Sequence, residues 1–199
     1  MSSRRLFAIS MVALAVLLTW HWEHRPIRSE PGVLAADPPR QGPVENAPFE
    51  LDGYRITPRA SFSLRARVLS TERYWLGRES DLSPLDLALG WGPMSDQRVI
   101  DQIDVSQSGR WYYLKWPLPP PLPEQQIMSS SANMHVIPSA SWIARVLEGV
   151  RPGELVELHG ELVDVDGPDG WRWRTSLSRD DRGGGSCELF YVDYASAGG

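Results

Sequence analysis

The chain has 199 residues, 42% of them hydrophobic, with 20 lysines and arginines against 25 acidic residues and a net charge of −5. That length supports one domain with a sizeable core, while the acidic balance lacks the basic footprint of a nucleic-acid binder, so no nucleic-acid partner is expected. Cys187 is the only cysteine, which excludes an intrachain disulfide and any four-cysteine metal site; a lone thiol of this kind is expected to be buried and inert.

Arg4 and Arg5 precede an uncharged run from Leu6 to Trp20, closed by the cluster Trp20-His21-Trp22. As a helix the run would be roughly 23–26 Å long, within the range that a bilayer tolerates. A cleavable signal peptide needs small residues at the end of its apolar region. This run ends in Leu17, Leu18 and Trp20, and the nearest small-residue site, Val33-Leu34-Ala35-Ala36, lies too far downstream. Residues 1–24 therefore read as an uncleaved N-terminal transmembrane helix, a signal anchor, with a cleaved signal peptide as the alternative. Arginines ahead of a short N-terminus place that end inside. The expectation is a single-pass protein of the bacterial inner membrane, its membrane contact made through the N-terminal helix and its C-terminal domain in the periplasm.

Residues 25–48 carry prolines at 26, 31, 38, 39, 43 and 48, a spacing that forbids a helix and reads as a flexible linker. Residues 49–195 read as one β-rich extracytoplasmic domain. Phe62, Leu64, Ala66 and Val68 alternate with Ser63, Arg65 and Arg67, the period of a half-buried strand. Ser95 or Asp96 can cap a short helix carrying Val99, Ile100 and Ile103. Trp111–Trp116 is aromatic-rich and reads as a strand, and Pro117–Pro123 as an extended loop. Ser139 or Ser141 can cap a helix whose Ile143, Val146, Leu147 and Val150 recur at helical spacing, closed by Arg151-Pro152-Gly153. A strand with relief at Gly160 follows over 155–165, then a turn at Asp166–Gly170, a returning strand over Trp171–Leu177, a second turn at Gly183-Gly184-Gly185 and a last strand over Cys187–Val192. The fold class is mainly β: a small OB-like barrel or sandwich with one or two short helices.

The blocks Asp86–Asp96, Ser131–Pro138 and Ser176–Asp181 resemble those of membrane-anchored bacterial envelope proteins to which no activity is assigned. The resemblance covers residues 50 to 193, implies an envelope location, and carries nothing about chemistry.

Ser131, Asn133 and His135 would share one face of an extended stretch. They suggest an envelope hydrolase, with His135 as general base, Ser131 as nucleophile or positioning group, and Asp180 or Asp181 orienting the base. The plainer reading is a set of hydrogen-bonded groups that pin a loop, since the glycine elbow of a nucleophilic serine is missing. Asp164, Asp166 and Asp169 suggest a calcium loop, but the closing glutamate is replaced by Thr175 and an Asp/Gly turn explains them. His135, His159 and Cys187 have no ligand spacing, so no metal and no cofactor is expected. Gly183–Gly185 precedes a strand and lacks the residues of a phosphate loop. Trp171 and Trp173 would lie on one strand face and could form a platform for a ligand, with Asn133 a further binding candidate. The function read from the sequence is a membrane-tethered binding or assembly module, its partner another envelope protein, with the hydrolase as alternative.

Overall fold

The computed structural model describes residues 25–44, 46–178 and 187–198, together with Phe7, Ser10 and Met11. The rest of the expected transmembrane helix, Asp180, Asp181 and the Gly183–Gly185 turn lie outside the described residues. Among the described residues no helix is long and apolar enough to cross a membrane.

The fold is mainly β. The described residues form ten strands: β1 (Arg40–Gly42), β2 (Phe49–Leu51), β3 (Tyr54–Arg73), β4 (Leu85–Gly90), β5 (Asp104–Ser108), β6 (Trp111–Lys115), β7 (Ser131–Pro138), β8 (Leu155–Asp166), β9 (Arg172–Trp173) and β10 (Glu188–Ala197). Among the described residues four short helices lie between the strands: α1 (Glu79–Leu82), α2 (Gln97–Ile100), α3 (Glu124–Ser129) and α4 (Ser141–Glu148), with a 3-10 turn at Gly92–Ser95. Eight strands form one sheet in the order β1-β3-β4-β7-β10-β8-β9, with β2 on β3 and a further pairing between β3 and β8. β7 and β10 are parallel, and the other pairs are antiparallel. β5 and β6 make a separate two-stranded hairpin.

The alternation from Phe62 to Val68 belongs to the much longer β3, whose Phe62, Leu64, Ala66 and Val68 all point into the main core. One edge of β3 is covered in series by β2, β1 and β4, and the other by β8. Leu87 of β4, Met134 of β7, Leu158 of β8 and Phe190 of β10 complete that core, where the Phe62 and Phe190 rings meet edge to face at 5.1 Å. Helix α4 adds Ile143 and Leu147 to it. A second cluster gathers Ile56, Val163, Val165 and Leu189 on the opposite face of the sheet, and a third holds Met94, Ile103 and Ile127 against Val105 and Leu114 of the hairpin.

Gly160 is placed by close approach: with φ near +152°, a Cβ there would stand 1.9 Å from the Tyr191 carbonyl oxygen. No side chain fits between β8 and β10 at that point.

Several expectations need correction. Residues 25–44, expected as a free linker, form a strap along the domain. Ile27 N–H donates to Pro152 O at 2.7 Å, Leu34 and Ala35 N–H both donate to Ser95 Oγ, and Gly92 N–H donates to Ala35 O. Arg40–Gly42 then pairs with Ser61–Ser63 as β1. Proline forbids helix in this segment but leaves enough amides to be bound by fixed acceptors. Arg67, on the face expected to meet solvent, is fully buried because the strap and the 3-10 turn cover it. Neither Ser139 nor Ser141 caps α4; Ala140 stands at its N-cap without a side-chain bond. Asp96 does cap α2, accepting from Arg98 N–H at 2.9 Å, while Ser95 serves the strap. Of the returning strand over Trp171–Leu177, only Arg172 and Trp173 pair with β8. Beyond them the Asp164 carboxylate takes the Thr175 N–H in place of a ladder carbonyl.

Candidate functional site

β4 and β7 run side by side, so Asp86 faces His135 and Ala88 faces Asn133 across the ladder. Leu85, Leu87 and Leu89 turn into the main core, which leaves Asp86 on the opposite face with Ser131, Asn133 and His135. The shared face predicted for those three β7 residues is therefore observed. It is not open: the β5–β6 hairpin roofs it. Gly109 and Arg110 at the hairpin turn both have positive φ, 59° and 72°, as a two-residue turn between twisted strands requires.

The polar face is the hairpin's attachment. Gln107 Nε2 donates to Asn133 Oδ1 at 2.6 Å, and Asn133 Nδ2 donates to Arg110 O at 3.1 Å. Tyr112 Oη and Ser131 Oγ lie 3.5 Å apart, and Ser131 Oγ donates to Ile127 O at 2.9 Å. Arg110 N–H donates to Tyr74 Oη at 2.9 Å while the Arg110 guanidinium lies over the Tyr74 ring, 3.8 Å from its centroid. Burial pushes the Tyr74 phenol up, opposed by the N–H it accepts, and burial also pushes up Tyr112.

At the centre sits Asp86, with no solvent exposure. Its Oδ1 lies 2.7 Å from Arg110 Nη1 and 3.0 Å from His135 Nδ1; the latter approach is off the line of a hydrogen bond. Asp86 Oδ2 and Arg110 Nη2 are buried without a hydrogen-bond partner, so the cluster is tightly packed but incompletely satisfied. His135 is itself enclosed, its ring 5.0 Å from that of Trp173.

This arrangement can clamp two sheets through charge, but it does not assemble the predicted nucleophile and base. Ser131 and His135 are four residues apart on an extended strand, which separates them by about 13 Å. A serine must come within hydrogen-bond reach of its base. The carboxylate beside His135 is Asp86, which the sequence reading did not single out.

Trp171 and Trp173 stand next to each other, ring centroids 6.0 Å apart. Their surfaces are shared with neighbours: Tyr54 meets Trp171 edge-on at 5.8 Å, Arg78 lies over Trp171 at 5.5 Å, and Arg110 over Trp173 at 5.7 Å. Both tryptophans also pack on the second cluster, so they support the surface more than they present a bare platform. Each acid of the would-be calcium loop is engaged by arginine: Asp164 by Arg59, Asp166 by Arg174, and Asp169 by Arg78 at 2.7 Å. His159 pairs with Glu157 at 3.1 Å and stacks on Tyr194, whereas Cys187 Sγ lies 3.9 Å from Arg110 O. Among the described residues, no group of histidine, cysteine and acidic side chains is arranged to hold a metal ion. A cleft of about 450 Å³ opens beside β1, lined by Arg40, Ser61, His159, Glu161 and Asp193, and Ser131, Asn133, His135, Trp171 and Trp173 take no part in it.

The contacts bring three loops together at one end of the sheet. Tyr74 binds the 109–110 turn, and Arg78 binds Asp169 in the turn between β8 and β9. Between them Trp75 and Leu76 project, 77% and 90% exposed, and Trp111 is exposed on the hairpin just after Arg110. The signals missed in the sequence were Asp86, a lone acid in the apolar run Leu85–Gly90, and Arg110, its partner in a hairpin turn. No family model matches the chain, and comparison with curated proteins and with solved structures gives no match either.

Proposed function

We propose that this chain is a membrane-tethered binding or assembly module of the bacterial envelope, built on an OB-like barrel and carrying no chemistry of its own. The pairings support the barrel: β3 with β4, β4 with β7, β7 with β10, β10 with β8, and β8 with β3 again, a cycle of five strands with α4 inserted between β7 and β8. The Arg4-Arg5 start and uncharged run support the anchor. Retention of the segment has a structural argument as well. Cleavage at Ala35-Ala36 would remove Ile27, whose carbonyl accepts from Arg67, and would uncover a guanidinium that is otherwise fully buried.

The observation that carries the binding reading is the pair Trp75 and Leu76. Two adjacent large apolar side chains are held in water by a loop that Tyr74, Arg110, Arg78 and Asp169 fix at both ends. Exposed apolar groups on a fixed loop mark an interaction surface. The Arg78–Trp171 and Arg110–Trp173 contacts tie the loop ends to the neighbouring surface.

A photo-crosslinking residue at position 75 or 76 of the full chain in its native membranes should yield a discrete adduct, and the same residue at Arg40 should not. Absence of any adduct from both loop positions would sink the reading. Reporter fusions after Gly199 and sequencing of the mature N-terminus test the topology: activity of a cytoplasmic reporter alone reverses it, and a new N-terminus near Ala36 replaces the anchor.

The approach of Asp86 to His135 favours a second reading, an envelope hydrolase with His135 as base and Asp86 as its orienter. Against it stand the enclosure of His135 and its distance from Ser131. Access of a small imidazole-directed reagent to His135 in the folded protein would revive it.

A further inference from the structure

The strap changes where the domain sits. A free linker over residues 25–48 would hold the domain on the order of 25–30 Å from the membrane. Instead the chain is fixed to the domain from Ile27 onward: Ile27 N–H donates to Pro152 O, and Ile27 O accepts from Arg67 Nη2 at 3.3 Å. Gly153 closes over it so tightly that a Cβ would fall 1.8 Å from Ile27 O. Ser29 N–H, donating to Gln97 Oε1 at 3.0 Å, and Gly32 N–H, donating to Asp96 Oδ1 at 3.2 Å, continue the attachment. Five peptide steps separate Trp22 from Ile27, and whatever their conformation they reach at most about 18 Å. A headgroup layer is itself about 5–8 Å deep.

We infer that the face around Ile27, Arg28, α2 and the Pro152-Gly153 turn lies directly against the lipid headgroups, holding the domain in one orientation with the Trp75–Leu76 loop turned away from the bilayer. The inference rests on the tethered reading above and deepens it. The orientation follows from β3 and β8. Their paired ribbon has Arg67 opposite Leu155 at the strap end and Arg55 opposite Asp166 at the other. The turn beyond Asp166 is the one that Arg78 binds, beside Trp75 and Leu76.

The strap-end face makes contact through its tether and not through charge. Its arginines are matched one by one: Arg28 with Asp101 at 2.6 Å, Arg98 with Asp96 at 2.7 Å, and Arg151 with Glu154 at 3.4 Å. A surface so balanced has little attraction for anionic lipid of its own. A shallow cleft of about 240 Å³ between Ile27, Val68 and Ile100 opens on the same side.

The test places an environment-sensitive dye at single cysteines in the full chain, with Cys187→Ser as background, in bilayers of phosphatidylethanolamine with a minority of phosphatidylglycerol. Dyes at Arg28→Cys and Gln102→Cys, both exposed positions of the strap-end face, should be quenched by lipids carrying nitroxide headgroups. A dye at Pro168→Cys, exposed in the far turn, should not. Inserting a flexible Gly/Ser stretch between Arg25 and Pro26 should abolish the quenching without touching the fold, and raising the phosphatidylglycerol fraction should leave it unchanged. Equal quenching at all three positions, or quenching that survives the insertion, overturns the inference. Alkaline carbonate extraction separates the two readings. Release of the full chain from the membrane overturns the tether and the orientation together, whereas retention without quenching at Arg28→Cys and Gln102→Cys overturns the orientation alone.

Discussion

Arg110 reaches from a hairpin turn to Asp86 in the neighbouring sheet, Nη1 to Oδ1 at 2.7 Å, and the carboxylate it meets has no contact with solvent. Removing one partner of such a pair strands the other charge in a dry site, a loss of about 3–5 kcal/mol. Arg110→Ala should therefore destabilise the domain by that order, and release of the hairpin should be visible in the near-ultraviolet signal of Trp111 and Tyr112. The double change Asp86→Leu with Arg110→Met should recover much of the loss, because no charge remains to be desolvated. A urea-unfolding cycle over the four proteins reads the coupling; additive effects would show that the two groups do not act as a clamp.

One hydroxyl holds the middle of the strap. Ser95 Oγ accepts from both Leu34 and Ala35, at 3.1 and 3.0 Å, and Ala35 is buried. Ser95→Ala leaves two amides without an acceptor, a cost of about 1–3 kcal/mol for each that stays buried. The strap should then lift instead of remaining unsatisfied in place. Limited proteolysis should cut within residues 25–44 sooner than in wild type, and the Leu34 and Ala35 amides should exchange faster, while amides of β8 stay protected. Unchanged exchange at Leu34 and Ala35 would contradict the role given to Ser95.

Helix α4 buries Ile143 and Leu147 completely and exposes Glu148. Leu147→Ala should cost about 2–5 kcal/mol, and Leu147→Asp should unfold the domain. Glu148→Lys should stay within about 0.5 kcal/mol of wild type by thermal or urea unfolding, since the contact from Arg73 uses the Glu148 backbone carbonyl and not its side chain.

Three aspartates contribute to the acid limb of stability. The Arg98 guanidinium and then its N–H hold the Asp96 carboxyl well below the usual carboxylate range, Arg174 lowers Asp166, and Arg78 lowers Asp169. A folded-state value below the unfolded one stabilises the fold at pH values above the unfolded pKa, about 3.8 for Asp96. That contribution drains as the pH falls toward the folded value. Their contribution should thus be level above about pH 5 and be lost progressively below about pH 4. Asp96→Asn should lower stability at neutral pH and flatten the fall below pH 4, measured as urea midpoints across the range. A mutant whose acid limb is as steep as that of wild type would rule out Asp96 as a contributor.

Periodicity made part of this fold legible. Alternation from Phe62 to Val68 marks a strand because one face there is core, the helical spacing of Ile143 and Leu147 marks α4, and Asp166–Gly170 marks a turn. The same rule hides β4, where Leu85–Gly90 is buried on both faces and shows no alternation. It hides β5 as well, whose Asp104-Val105-Ser106-Gln107-Ser108 is polar except at Val105. Arg67 was misplaced for a related reason. An arginine in an alternating pattern reads as solvent-facing unless something distant covers it, and the cover here comes from Ile27 and Ser95. Within the candidate site, the common face of Ser131, Asn133 and His135 follows from strand geometry alone. Their partners do not, because Asp86 and Arg110 arrive from elements that only the tertiary pairing brings near.

The strap also fixes an order of events during synthesis. Its residues leave the ribosome early, but their partners come much later: Ser95 is 60 positions beyond Ala35, Asp101 is 73 beyond Arg28, and Pro152 is further still from Ile27. The Leu34 and Ala35 amides must therefore wait for Ser95 and the Ile27 amide for Pro152, just ahead of β8, and Arg67 stays hydrated until Ser95, Gln97 and Ile27 have all closed on it. The last rungs to assemble are those of β10 against β7 and β8, near the end of the chain. The domain consequently completes as a unit after translation of its final strand, and a chain arrested before Glu188 leaves both β7 and β8 with an open edge.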